Sequence, residues 1–178
     1  MGYTIQIGEA EIERSDEYVT IGAKLEKHDD APAHGDPTDY ENQRWPSYSA
    51  WADAMRTLGL SDVMFEKRRA KDGCDENWSD EPPCGPLMVD HPGAAGITRQ
   101  HVEEVERRLR EYRRKHPTHR AEYPPPREGA KPILGNMYRN EDYVKDPEFD
   151  SALCRGEWLE YWLRWAIDNC ENPVFVNS

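Results

Sequence analysis

No stretch of this sequence approaches the roughly 20 consecutive apolar residues that a membrane-crossing helix needs, so membrane partners are not expected. The opening MGYTIQIGEAEIER has neither a basic start nor a long apolar core, so no secretory signal is read there. Cysteine is scarce: Cys74, Cys84, Cys154 and Cys170 are the four, and none forms a CxxC pair. A classical zinc site therefore has no support, and reduced thiols in a cytoplasmic setting are the expectation. Cys74 and Cys84 flank a Pro-rich stretch, where a disulfide or joint metal ligation is the lesser reading. GxSxG, P-loop and GxGxxG patterns are all missing. Positive charge is also short, with 23 Lys and Arg against 35 Asp and Glu, a formal charge of −12. That balance favours solubility and disfavours non-specific binding to nucleic acid or acidic lipid.

What the chain does have is aromatic weight. Only 37% of its 178 residues are hydrophobic and the mean hydropathy is −1.00, yet there are six Trp, nine Tyr and three Phe. Each buried aromatic removes a large area from water, so a small aromatic-rich core is expected within a single domain, residues 1–178. Fourteen Pro and twelve Gly point to long irregular connections.

The apolar spacing predicts an α+β fold: an N-terminal antiparallel hairpin packed against three main helices and joined by long Pro/Gly-rich loops. Residues 3–13 and 17–26 alternate as two strands, with Arg14-Ser15-Asp16 as the turn. Tyr3, Ile5 and Ile7 occupy odd positions and Ala10 and Ile12 even ones, which suggests a bulge at Gly8. A helix must then cover the hairpin's apolar face. Residues 27–46 read as a polar loop. A first helix is expected at about 47–58, capped by Ser47, striped by Trp51, Ala54, Met55 and Leu58, and stopped at Gly59 with Leu60 as the closing contact. Residues 66–96 read as irregular, and a loop of that length is often functional. A second helix at about 98–116 has Thr98 as cap, an Ile97–Val102 staple, a Val102/Val105/Leu109/Tyr112 stripe, and Pro117 as its stop. Residues 117–148 are Pro-rich. The last helix, about 150–170, starts at Asp150. Leu159, Trp162, Leu163 and Ala166 form its stripe, and Trp158, Tyr161, Trp165 and Ile167 widen it, as in a central helix. The surplus width allows a homodimer. Pro173–Val176 reads as a short strand.

Charge is segregated. Residues 1–66 carry fourteen acids and five bases, and residues 141–178 carry nine and three. Between them lies Lys67-Arg68-Arg69-Ala70-Lys71, and Arg107, Arg108, Arg110, Arg113, Arg114, Lys115 and Arg120 crowd one helix end. Glu103–Arg107, Glu104–Arg108, Glu106–Arg110 and Glu111–Lys115 have the favoured acid-first i, i+4 spacing, and bases in a last turn complement the helix dipole. Arg113 and Arg114 have no acid four residues before them. Lys67, Arg68, Arg69, Lys71, Arg113 and Arg114, with His91 at the Asp90-His91-Pro92-Gly93 turn, are therefore the candidate contacts for a small anionic, phosphate-bearing ligand. The two acidic ends could alternatively compete with nucleic acid for a basic partner.

The densest set of metal-ligating types is His28, Asp30, His34 and Asp36, which could hold a divalent transition metal in a phosphoesterase. They lack HExxH-like spacing, so the favoured expectation is a chain with no cofactor and a hydrated acidic loop. Cys84 or Cys154 could act as a nucleophile beside a His, although nothing in the spacing brings them together.

Leu87–Thr98, LMVDHPGAAGIT, with its charged helix, and Trp158–Asn177, WLEYWLRWAIDNCENPVFVN, resemble small acidic proteins encoded by bacteriophages and prophages. The resemblance spans about the second half of the chain and implies a setting rather than a site. It implies a host-interaction or anti-defence protein of the host cell cytoplasm, acting by binding a host protein or small phosphorylated ligand.

Overall fold

The computed structural model describes residues 4–16, 18–25, 44–45, 48–65, 84–88, 93–132, 138 and 140–177. The elements are β1 (Ile5–Arg14), β2 (Val19–Lys24), β3 (Arg44–Trp45), α1 (Tyr48–Thr57), α2 (Ser61–Met64), β4 (Gly93–Gly96), α3 (Arg99–Lys115), a 3-10 turn (Asn140–Asp142), α4 (Ser151–Asn169) and β5 (Pro173–Asn177). This is an α+β fold with the expected hairpin and three main helices, and no helix among the described residues is long and apolar enough to cross a membrane.

The antiparallel sheet runs β2-β1-β5-β4, with the short β3 also pairing β1. The first half of β1 pairs with β5, from Ile5 opposite Asn177 to Glu9 opposite Pro173. Its second half pairs with β2, from Glu9 opposite Lys24 to Arg14 opposite Val19. Each ladder advances one residue per step on both strands, so the bulge expected at Gly8 is not there. The shift from odd to even apolar positions has another cause: β1 changes partner at Glu9 and leaves the core. Ile5 and Ile7 are buried, whereas Ile12 points to the opposite face and is exposed. The helical cover expected for the whole hairpin reaches only its first half. β2 also comes within 8 Å of β5 and β4, Cα to Cα, so the ribbon is coiled as well as twisted.

Two pieces of regular structure, β3 and β4, lie where irregular chain was expected, and the short α2 lies in a stretch the spacing leaves unassigned. β4 is Gly-Ala-Ala-Gly, with no apolar alternation, and it is a strand because β5 supplies its ladder from Gly93 opposite Asn177 to Gly96 opposite Val174. Residues Cys84–Met88 lie beside α2, where the amides of Leu87 and Met88 donate to the carbonyls of Val63 and Met64 at 3.0 and 2.7 Å.

The helix signals act as read. Gly59, at φ 70°, closes α1 in a Schellman turn: its amide donates to Arg56 at 3.0 Å, and Leu60 N–H donates to the Met55 carbonyl at 2.7 Å. Leu60 is fully buried. Thr98 caps α3, and Ile97 and Val102 are both buried. Asp150 caps α4 by accepting from the amides of Ala152 and Leu153 at 2.8 and 3.1 Å. Ser47, the expected cap of α1, lies outside the described residues.

The core joins the inner halves of the helices to Ile5, Ile7 and Phe175 of the sheet. Trp51 of α1 meets Trp158 of α4 edge to face, with centroids 5.6 Å apart. Gly156 is where α1, α3 and α4 come closest, because a methyl group there would meet Leu109 and Leu58 carbons at 2.5 and 2.7 Å.

Candidate functional site

Most of the expected site lies outside the described residues: Lys67, Arg68, Arg69, Lys71 and His91 of the anion set, and His28, Asp30, His34 and Asp36 of the metal set. Among the described residues no group of three or more His, Cys, Asp or Glu is arranged to hold a metal. Arg113 reaches from α3 to α4, donating to Glu157 at 3.0 Å and Glu160 at 3.2 Å. Arg114 is exposed, with no ion pair among the described residues. The two are not brought together, since neighbouring residues on a helix diverge by about 100°.

The cations converge one face away. An open groove of about 370 Å³ runs between the end of α1 and the last turns of α3, with Arg56, Arg107, Arg108, Lys115 and His116 among its lining. On α3 these belong to two adjacent rows, 107/111/115 and 108/112/116, which the i, i+4 geometry places on one side. Choosing arginines by their lack of a preceding acid selected 113 and 114. Choosing by angular position selects this face.

The groove floor is a buried ion pair. Arg108 donates to Asp62 Oδ2 at 2.9 Å, makes a second, closer contact with Asp62 Oδ1, contacts the Gly59 carbonyl, and donates through Nε to Glu104 at 3.2 Å. Burial works against the charged guanidinium, but Asp62 and Glu104 outweigh it and raise the Arg108 pKa. Of the four expected i, i+4 pairs only Glu104–Arg108 forms. Arg107 instead bridges Glu104 at 2.8 Å and Glu111 at 2.9 Å, and Glu106 pairs with Arg164 of α4 at 2.6 Å. Lys115 is left with no ion pair among the described residues, on an exposed turn at the groove mouth.

Beyond the mouth is an aromatic and imidazole cluster. His116 lies between Tyr112 and His119, with centroids 4.4 and 4.6 Å away. Tyr112 donates its hydroxyl to Asp150 Oδ2 at 2.7 Å, and His119 Nδ1 meets the same oxygen at 2.6 Å. Burial and the Asp150 carboxylate push the Tyr112 phenol up, so it stays a donor at neutral pH. Burial alone would raise Asp150, but Tyr112, the Leu153 and Ala152 amides and His119 outweigh it and hold the carboxyl below the usual range. Asp150 is thus helix cap and anchor of the groove's outer wall at once. Sequence spacing shows the cap and not the anchor, because Tyr112 and His119 lie far from it along the chain.

Cys84 and Cys154, the two candidate nucleophiles, are both buried. Burial pushes the thiols of Cys84 and Cys154 up to about 11 and about 12, which removes them as nucleophiles at neutral pH. His101 is 4% exposed and spends both ring nitrogens on structure: Nδ1 accepts from the Thr98 amide at 3.0 Å, and Nε2 donates to the Gly85 carbonyl at 2.7 Å. Burial lowers its pKa from 6.5. A lowered folded-state pKa means that the unfolded chain takes up protons first on acidification. Stability from His101 is therefore complete above pH 6.5 and is lost as pH falls through the folded value. Glu104, held low chiefly by Arg107, and Asp150 add losses in the same direction below their ordinary 4.5 and 3.8. Denaturant midpoints measured against pH will show two descents on acidification, and His101→Gln will remove the upper one. A wild-type midpoint that stays flat from neutral pH to the carboxylate range would contradict this.

No family model, curated protein or solved structure matches the chain.

Proposed function

We propose that this chain is a non-catalytic, phage-type accessory protein that holds a small phosphate-bearing ligand in the α1–α3 groove. The observation that carries this reading is the convergence of Arg56, Arg107, Arg108 and Lys115 on one open groove, with Lys115 uncommitted to any acid among the described residues. The volume lies in the range of small-ligand pockets. The one acid in the lining, Glu111, is already held by Arg107. Among the described residues that line the groove there is no thiol, and the Thr57 and Tyr112 hydroxyls are engaged with the Asp53 carbonyl and Asp150, which favours binding over turnover. The phage setting is carried by the resemblance at Leu87–Thr98 and Trp158–Asn177. Much of these two stretches forms β4, β5 and α4, so they speak for a shared scaffold rather than a shared ligand.

Calorimetric titration with inorganic pyrophosphate and a nucleoside triphosphate tests the reading. Saturable, salt-sensitive binding is expected, and Lys115→Glu is expected to weaken it at least about tenfold, the effect of reversing one partly exposed charge at the mouth. Binding that ignores Lys115→Glu moves the ligand elsewhere, and release of phosphate during the titration overturns the non-catalytic reading.

A further inference from the structure

We propose that the outer half of the β1–β2 hairpin docks an extended segment of a partner protein in which apolar residues alternate with lysine or arginine. Among the described residues five large hydrophobic side chains are strongly exposed, and four of them are here: Ile12 (55% exposed), Tyr18 (62%), Val19 (61%) and Ile21 (41%). The register explains the clustering. Ile12 stands opposite Ile21, so both lie on one face, with Val19 beside them opposite Arg14. Soluble chains scatter such residues singly, and a contiguous group marks a contact surface.

Among the described strands the edge beside this face is unpaired, while part of β2 comes within 8 Å of β5 and β4, Cα to Cα. β2 ends the sheet and pairs only with β1 among the described strands. Val19-Thr20-Ile21-Gly22-Ala23 carries no charge, proline or bulge, the usual devices that keep a foreign strand from pairing, and the strand's one charge, Lys24, stands at its far end opposite Glu9. A strand added at this edge would lay every second side chain beside Val19 and Ile21.

The other face specifies the remaining side chains. It carries Glu11 opposite Gly22 and Glu13 opposite Thr20. Both glutamates are exposed and make no ion pair among the described residues. Gly22 and Thr20 are small, so a long basic side chain on the added strand, about 10 Å from β1, reaches across them to the carboxylates. A second copy of this chain is a poor occupant. It brings the same glutamates and another −12 of charge, and four side chains fall far short of the roughly 800 Å² per partner of a stable interface.

The test titrates full-length protein with a soluble peptide of alternating lysine and valine, and with its glutamate–valine counterpart, while backbone amide shifts are followed. The expected result is binding by the lysine peptide alone, with shifts concentrated in β1 and β2. Ile21→Glu, and separately Glu11→Lys with Glu13→Lys, should each weaken it by about tenfold or more. All the substituted positions are exposed or open to solvent in the fold, and an unchanged melting temperature verifies that each variant is folded. Equal binding of both peptides, shifts confined to the α1–α3 groove, or lysine-peptide binding indifferent to both variants would overturn the proposal. So would a concentration-dependent dimer abolished by Ile21→Glu, which would assign the surface to a second copy. Pyrophosphate binding at Lys115 is read separately, so failure here leaves the groove reading standing, and the reverse.

Discussion

Asp62→Ala will lower the stability of the fold by about 3–5 kcal/mol, because it strands a buried guanidinium. The Asp62 side chain is 2% exposed and that of Arg108 13%, so neither charge recovers water when its partner goes. Glu104 remains within reach of Arg108 Nε, but both Nη atoms lose their carboxylate and keep only the Gly59 carbonyl. The pair joins α2 to α3 directly beneath the groove, so its loss also loosens the turn at Gly59 that shapes one wall. Urea denaturation of the single variant and of Asp62→Leu combined with Arg108→Met separates the two sources of cost. The apolar double variant should regain most of the stability, because well-packed hydrophobic residues replace a buried pair at little or no net cost. A loss in Asp62→Ala no greater than the roughly 1 kcal/mol of a surface ion pair would show that water reaches the site and that the groove has no rigid floor.

Trp158→Ala carries a comparable effect through a different mechanism, with an expected loss of about 3–5 kcal/mol from missing apolar burial and the cavity left behind. Trp158 is fully buried and lies edge-on to Trp51, itself fully buried, so the cavity opens between α4 and α1 and also removes an aromatic pair. The helices are closely packed nearby: a methyl group at Gly156 would meet the Leu109 and Leu58 side chains at 2.5 and 2.7 Å. Tyr18→Ala on the hairpin tip is the matched control. It deletes a large aromatic that is 62% exposed and should shift stability by no more than about 0.5 kcal/mol, the range for an exposed position. Similar losses from both would mean that the tip is packed against something and is not a free contact surface.

The helices were legible from the chain because their determinants sit within a turn of where they act. Asp150, Thr98 and Gly59 satisfy backbone groups two or three residues away, and the Trp51–Leu58 and Val102–Tyr112 stripes repeat at the helical period. The width of the stripe on α4 correctly marked the helix that packs against α1, α3 and the sheet together. β4 escaped notice for the opposite reason: nothing in Gly-Ala-Ala-Gly favours a strand, and its hydrogen bonds come from β5, about eighty residues on. The Gly8 misreading has the same root. Apolar alternation reports which side chains share a face, but not where along a strand the core stops.

The candidate site divides in the same way. Composition identified a cationic helix end, but of the ion pairs expected from local spacing only Glu104–Arg108 forms, and the partners that cross between helices are not in that spacing. Arg108 answers to Asp62 and Arg113 to Glu157 and Glu160, and those acids arrive only when the helices pack. Interactions across a single helical turn are read from spacing because covalent geometry sets the distance. Where β4 joins the sheet, which cations face the α1–α3 groove, and that Ile12 and Ile21 stand outside the core are settled by packing. Chain closure brings together residues whose separation along the sequence carries no information about their separation in space.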